Sequence, residues 1–195
     1  STLITGEAAK KCGEKLGKDL RNHSLDELEG RSYFYEYDDP TDPLGSDKPN
    51  PKSHIAYGFA AHVVILDDNG KVTDIYAAHD SGKVVNPTTI EGQIEGGVVM
   101  SLGYALREDL KIKDSVIKAK YGSMGLFRAD EIPNIHPILI EKEKLLDLAY
   151  GAKGIGEIAT IPTAPAVQAA YYALDGNLRR KLPLEDTFYK KVKKK

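Results

Sequence analysis

Residues 62–76 read His62-Val63-Val64-Ile65-Leu66-Asp67-Asp68-Asn69-Gly70-Lys71-Val72-Thr73-Asp74-Ile75-Tyr76. Two runs rich in β-branched residues flank Asn69-Gly70, a dipeptide favoured at tight hairpin turns because it tolerates positive φ. The stretch predicts an antiparallel hairpin, and what surrounds it sets the fold class. Upstream, Ala8, Cys12, Leu16 and Leu20 recur every four residues on one helix face, with Thr5 placed to cap it. Ser24-Leu25-Asp26-Glu27 has the spacing of a capping box for a short second helix, which Gly30 is placed to stop. Tyr33, Tyr35 and Tyr37 alternate with Ser32, Phe34 and Glu36, as in a strand with one aromatic face. Downstream, Asp80-Ser81-Gly82 and Asn86-Pro87 form a turn that caps a long helix over 88–109. A second strand pair is expected around 116–120 and 138–141. A last helix over 163–174 is closed by Gly176 or Asn177. Strands and helices are interspersed without a regular βαβ beat or internal repeat, so the expected class is α+β, with mixed sheets and packed helices.

The chain has 195 residues, enough for one domain or two small lobes with a real core. With 41% hydrophobic and 29% charged residues and a formal net charge of −2, it reads as an ordinary soluble protein. A near-neutral balance argues against nucleic acid as the main partner. The basic end 190–195 reads as a solvated, disordered tail. Cys12 is the only cysteine, which excludes an intrachain disulfide and a cysteine-based zinc site and fits a reducing cytoplasm. Its apolar neighbours mark it as a small buried residue. No apolar run reaches membrane-spanning length and no signal peptide is visible. The chain opens on Ser1-Thr2 without an initiator methionine, and reads as a piece of something larger or as a processed chain.

The segment 38–53 carries Pro40, Pro43, Pro49 and Pro51 and reads as a long loop, a length that usually serves function or an interface. Its Asp38, Asp39, Asp42 and Asp47 miss the calcium-loop register. The five histidines show no metal-site spacing, and no residue is nominated as a metal ligand.

Two glycine-rich stretches carry the chemistry. In Gly151-Ala152-Lys153-Gly154-Ile155-Gly156-Glu157, crowded glycines allow unusual backbone or close approach of a bulky group, and the carboxylate that follows can be aimed at a reacting atom as a general base. The glycine order is the reverse of a dinucleotide loop, Pro162 interrupts before the next helix, and there is no Gly-Lys-Ser/Thr. Flanked by Ile155 and Ile158, Glu157 is expected to be partly desolvated. The plain alternative is a structural turn with Glu157 as a surface charge. In Glu91-Gly92-Gln93-Ile94-Glu95-Gly96-Gly97, Gln93 offers an uncharged donor and acceptor among glycines that let a flat ligand or another helix approach. The plain alternative there is a helix contact with Gln93 facing solvent.

Together these stretches resemble the C-terminal half of the molybdopterin-binding domain in the xanthine dehydrogenase/aldehyde oxidase family of molybdenum hydroxylases. Asp80-x-Gly82-x-x-x-Asn86-Pro87, then Gly92-Gln93-x-x-Gly96-Gly97 and Leu102-Gly103-x-Ala105-Leu106, is similar to one family block. Lys153-Gly154-x-Gly156-Glu157 with Pro162 and Ala164-Pro165-Ala166-Val167 is similar to another. Ser1-Thr2-x-x-x-x-Gly6-x-Ala8 resembles the end of a cofactor-binding loop and its following helix. His54-Ile55-Ala56-Tyr57-Gly58 resembles bacterial xanthine-dehydrogenase-like members often grouped as selenium-dependent.

The resemblance implies that Glu157 is the catalytic base and that Gln93, Gly154, Gly156, Ser1 and Thr2 contact a molybdenum-molybdopterin cofactor, in its cytosine dinucleotide form. It implies oxygenation of a purine-like heterocycle or an aldehyde, with electrons leaving to iron–sulfur centres and FAD on other subunits or domains. The implied partners are the first half of the molybdopterin domain, the iron–sulfur and FAD subunits and a small-molecule substrate, with a homodimer also open. Without that first half, the chain alone is expected to be inactive. Two rival readings stay open: a non-catalytic remnant acting as a dimerisation or interaction module, and a nucleotide-binding domain using the Gly151–Gly156 loop.

Overall fold

The computed structural model describes residues 2–141 and 147–190. The tail 191–195 and Ser1 lie outside these residues, and so do the readings placed on them. The chain divides into two compact units. The first comprises Ser1–Gly58, Ser81–Val85 and Glu141–Gly154; the second comprises Phe59–Asp80, Asn86–Ile140 and Ile155–Lys195.

In the first unit, helix α1 spans Thr2–Asp19. Thr5 therefore lies inside the helix and does not cap it. The helix starts earlier than expected because its buried face is led by Leu3, which packs with Ala149 and Ala152. Leu20 falls beyond the helix end and is exposed, and Cys12 is only half-buried, its Sγ 3.5 Å from the Tyr33 carbonyl. The capping box forms as expected: Ser24 N donates to Glu27 Oε2 at 2.7 Å and Glu27 N to Ser24 Oγ at 3.3 Å. It closes a single 3-10 turn, Asp26–Leu28, that Gly30 ends with φ 77°.

The tyrosine segment alternates half-buried and exposed residues over 33–37, yet it joins no sheet among the described residues. Side chains hold it instead: Tyr33 Oη donates to Asp19 at 2.8 Å, and Lys15 donates to the Phe34 carbonyl at 2.7 Å. The side chains have the period of a strand, but no neighbouring strand completes the ladder. The long loop is closed on itself by Asp42 N to Lys52 O at 2.7 Å and by Lys52 N to Asp42 Oδ2 at 2.8 Å.

The second unit is built on the hairpin. Strands β1 (Ala60–Leu66) and β2 (Val72–Asp80) pair antiparallel. Their connection is a four-residue turn over Asp67–Gly70 rather than a two-residue one. Gly70 N donates to Asp67 O at 2.9 Å, Asp67 N donates to Lys71 O at 2.9 Å, and Gly70 has φ 80°. Helix α2 (Pro87–Leu106) is capped by Asn86, whose side chain accepts from Thr89 N, with Pro87 at its first position. Asp80-Ser81-Gly82 takes no part in that cap.

The expected second strand pair does not exist. Strand β3 (Ile112–Lys113) pairs with β4 (Val116–Ile117) in a small hairpin of their own, while β5 (Asn134–Ile140) runs parallel to β2. The order β1-β2-β5 makes a mixed sheet, confirming the α+β class. Helix α3 (Thr163–Asp175) ends at Gly176, φ 72°, as expected. Val64, Val72, Ile75 and Ala77 from the sheet pack with Ile94, Val98 and Leu102 of α2 and with Val167 and Tyr171 of α3 to form the core.

Gly97 explains why a helix so rich in glycine is tolerated. A Cβ on Gly97 would meet the Cβ of Ala159 at 2.5 Å and its carbonyl carbon at 3.0 Å. Around Gly96 the same atom would meet nothing within 4 Å. Gly97→Ala is therefore expected to destabilise the chain by about 1–3 kcal/mol through overpacking. Gly96→Ala is expected to stabilise it by about 0.5–1 kcal/mol through helix propensity. Urea denaturation of the two variants beside the parent chain checks both signs.

Candidate functional site

The glycine loop begins in the first unit under constraint. Ala149, Tyr150 and Gly151 have φ of 45°, 56° and 87°, a run that non-glycine residues adopt only when the surroundings dictate it. Glu7 of α1 is the dictating group. Its carboxylate is buried and accepts the Ala149 N–H at 2.5 Å, with Lys10 and Lys11 at 3.7 and 3.6 Å. The Ala149 hydrogen bond, then the two lysines, hold its pKa below the ordinary carboxylate value against the opposing effect of burial. The next residues are clamped to 81–83: Lys83 N donates to Gly151 O at 2.9 Å, Lys153 N to Ser81 O at 3.0 Å, and Gly82 bridges Ala152. A side chain at Gly82, φ 61°, would overlap the Gly151 carbonyl.

Past this clamp, Gly154 lines a cavity of about 340 Å³ together with Leu3, Ile4, Thr41, Ser53 and His54. Thr2 is the exposed first residue of α1, whose first turn carries no acidic side chain. The loop's first half and the start of α1, named separately from the sequence, thus share one concavity of the first unit.

Gly156 and Glu157 belong to the second unit. Ile155 packs on its core, and Glu157 opens the 3-10 turn Ile158–Thr160, its carbonyl accepting from Thr160 N at 3.0 Å and Oγ1 at 2.8 Å. With Ile155 turned inward and Ala159 seated on Gly97, Glu157 is left exposed. The desolvation expected from its isoleucine neighbours is thus absent, because Ile155 faces the core and not the carboxylate's side. Gln93 is also exposed, but it is tied in: its Nε2 donates to the Gly156 carbonyl at 2.6 Å. The amide of α2 thereby fixes the residue immediately before Glu157. On the same helix, buried Ser101 accepts from Ala164 N at 3.1 Å and donates to Tyr104 Oη at 2.8 Å, and Tyr104 donates to the Thr160 carbonyl at 3.1 Å. Both ends of the short Glu157 turn are bonded to α2.

Four other glycines of the two motifs behave differently from Gly82 and Gly97. Gly92, Gly96, Gly154 and Gly156 have ordinary φ, and a Cβ on any of them would meet nothing within 4 Å. No contact among the described residues requires a glycine at these four positions. They leave bare backbone facing open space, the condition for a flat or bulky ligand to approach closely.

The chain matches known proteins. A model of the molybdopterin cofactor-binding domain matches residues 23–133, more than half of the chain. The chain belongs to that family. Gln93 lies inside the matched range and the Glu157 loop outside it. The chain is 35% identical over 154 residues to one subunit of the probable xanthine dehydrogenase of Bacillus subtilis, covering 76% of the chain and 20% of that protein. Among solved structures, it is similar to the aldehyde oxidoreductase of Desulfovibrio gigas, with 25% identity and TM-score 0.56, covering 65% of this chain and 14% of that one. It is also similar to the reconstituted CO dehydrogenase from Oligotropha carboxidovorans, with 25% identity and TM-score 0.56, covering 69% and 18%. The chain therefore spans about a fifth or less of the length of these relatives, and the family resemblance read from the motifs holds. Among the described residues no helix is long and apolar enough to cross a membrane, and no group of three His, Cys, Asp or Glu is placed to hold a metal.

One pair escaped the sequence reading. His62 and His79 meet Nε2 to Nε2 at 2.7 Å, and His62 Nδ1 lies 2.9 Å from Thr163 Oγ1. The hairpin register contains the signal, since His79 faces Ala60 and His62 lies two residues farther along the same face. His79 Nδ1 is buried and has no partner among the described residues. A bare lone pair costs less there than an unbonded N–H, so His79 donates from Nε2 and His62 from Nδ1 to Thr163. Burial, then the charge of His79, lowers the pKa of His62 from 6.5 to about 4, and burial also lowers that of His79. The unfolded chain therefore binds protons that the folded chain refuses. Stability is expected to be full above about pH 6.5 and to fall as the pH drops from there toward about 4. Denaturant midpoints across that range check it, with His79→Gln expected to flatten the slope.

Proposed function

We propose that this chain is part of the molybdenum-binding portion of a hydroxylase, with Glu157 as its general base. The observation that carries the reading is the bond from Gln93 to the Gly156 carbonyl. It ties down the backbone from which the exposed Glu157 side chain springs, near backbone stripped of side chains at Gly92, Gly96 and Gly156. Each unit has features that suit a molybdopterin cofactor: in the second, Gly92, Gly96 and Gly156, which no internal contact requires; in the first, Gly154 in a mainly apolar cavity with Leu3, Ile4, Ile55 and Ala56, where Thr41, Ser53 and His54 add polar groups.

In the second unit Gln93 and the backbone at Gly156 would hold the group; Gly154 and Thr2 of the first unit, and Ser1, are assigned to it by the resemblance alone. When bound, the cofactor supplies the oxygen-transfer and electron-accepting chemistry. The chain's own part is to accept a proton at the Glu157 carboxylate and to hold in place the turn that carries it. Gln93 and Tyr104 do the holding, one at each end of the turn.

The substrate class is a purine-like N-heterocycle or an aldehyde, consistent with the names of the Bacillus and Desulfovibrio relatives. A dinucleotide tail, the cytosine form, suits the extended cofactor of this family. Iron–sulfur centres and FAD belong on other subunits or domains, since one cysteine cannot ligate a cluster. The compartment is the cytoplasm, where a lone half-buried thiol stays reduced.

In the assembled enzyme, Glu157→Gln is expected to lower the turnover rate by about 10²–10⁴-fold, the usual worth of a positioned base. Near-parental turnover would instead favour a structural acid and a non-catalytic interaction module. The chain purified alone is expected to carry no stoichiometric molybdenum, whereas the assembly should. Metal analysis of both preparations checks this, and tight molybdenum in the isolated chain would overturn the reading. Thermal stabilisation by ATP or NAD would revive the nucleotide-loop alternative.

A further inference from the structure

One face of the β1-β2-β5 sheet is covered by α2 and α3; among the described residues the opposite face is largely uncovered. Cross-strand register places Val63 beside Tyr76 and Ile65 beside Asp74, with Ala78 beside Ile138 and Asp80 beside Ile140. Val63, Ile65, Tyr76, Ile138 and Ile140 are between 40% and 57% exposed, although they belong to the strands themselves. Polar groups lie at the two ends of this face: Asp80, buried, beside Ile140, and at the other end Asp74, which accepts from His136 at 2.9 Å and from Asn134 at 3.2 Å, with the His136 ring stacked on Tyr76 at 4.5 Å.

The strand sequences reinforce the point. A strand with one wet face alternates apolar and polar residues, whereas one buried on both faces reads as a continuous apolar run. Val63-Val64-Ile65-Leu66 and Ile138-Leu139-Ile140 are runs of the second kind.

The two edges differ as well. Pro137 interrupts β5 and withholds an N–H, a common device against strand addition. Strand β1, seven residues of Ala-Ala-His-Val-Val-Ile-Leu, has no proline and no charged residue to blunt its outer edge. Half of its backbone groups face away from β2 by the geometry of an antiparallel ladder.

We propose that this face, together with the open edge of β1, is the docking surface for the polypeptide that forms the rest of a molybdenum-hydroxylase subunit. This rests on the functional reading above only for the identity of the partner. The chain covers 20% of the Bacillus relative and 14–18% of the two solved chains, so such a subunit contains several times more polypeptide than this chain. A sheet built to be buried twice finds its second cover there. The partner lays an apolar surface over Val63 and Ile138 and adds a strand along β1.

The test is carbene footprinting of the chain alone and of the assembly recovered from its source cells through a tag on this chain. Mass spectrometry identifies the co-purifying polypeptides. In an assembly containing the remainder of the molybdenum subunit, labelling of Val63, Ile65 and Ile138 is expected to fall to the level of buried Val64 and Ile75. Val63→Lys with Ile138→Lys, both exposed and so compatible with folding, is expected to weaken the assembly about 30-fold or more. Unchanged labelling in that assembly, recovery of the chain as a lone monomer, or full association of the double variant would overturn the proposal. Protection that rises with the concentration of the isolated chain would overturn it in favour of a second copy. Glu157→Gln leaves the footprint untouched, so loss of the catalytic reading and loss of this one are separable outcomes.

Discussion

Between Gly97 and Ala159 there is no room for a single methyl group. A short turn can be held rigidly against a helix only if their backbones come very close, and that requires a residue without a side chain on the helix. Once Ala159 is seated there, Ile155 is committed to the core on one side of the turn and the Thr160 carbonyl is brought to Tyr104 on the other. Glu157 lies between these two anchors. Its outward position follows from the contact beneath it and not from any preference of its own.

This gives the glycines of the chain two distinct explanations. Gly82 and Gly97 are demanded from within, by the Gly151 carbonyl and by Ala159. Gly92, Gly96, Gly154 and Gly156 satisfy no internal demand. Glycine in a helix costs about 1 kcal/mol relative to alanine, so two such residues on α2 are an uncompensated loss for the described residues taken alone. An external ligand that needs bare backbone would offset it. The sequence shows all of these glycines as one undifferentiated enrichment; only the coordinates separate those that serve packing from those left open.

Local chemistry is legible in the sequence, and long-range pairing is not. The Asn69-Gly70 turn, the Asn86 cap, the Ser24–Glu27 box and the Gly176 stop all depend on residues within a few positions of each other, and each formed. What failed depended on a distant partner. The alternation at Tyr33–Tyr37 is the same whether or not a neighbouring strand exists to complete it. The strand at Asn134–Ile140 carries nothing that names β2 as its neighbour, or parallel as its direction. The desolvation expected at Glu157 assumed that sequence neighbours are spatial neighbours, whereas Ile155 faces away. The candidate site was legible as motifs, and the bond from Gln93 to Gly156, across 63 residues, was not.

The bond from Ala149 to Glu7 joins residues 142 positions apart. On the ribosome Glu7 is made 142 residues before Ala149, and the 149–151 bend cannot be shaped by it until Ala149 has followed. Contacts of such high sequence separation form late, because the loop they close must first be found. The bend that opens the glycine loop is thus expected to acquire its backbone geometry late. Until Ala149 has been made, the Glu7 carboxylate has no amide of that bend to hold.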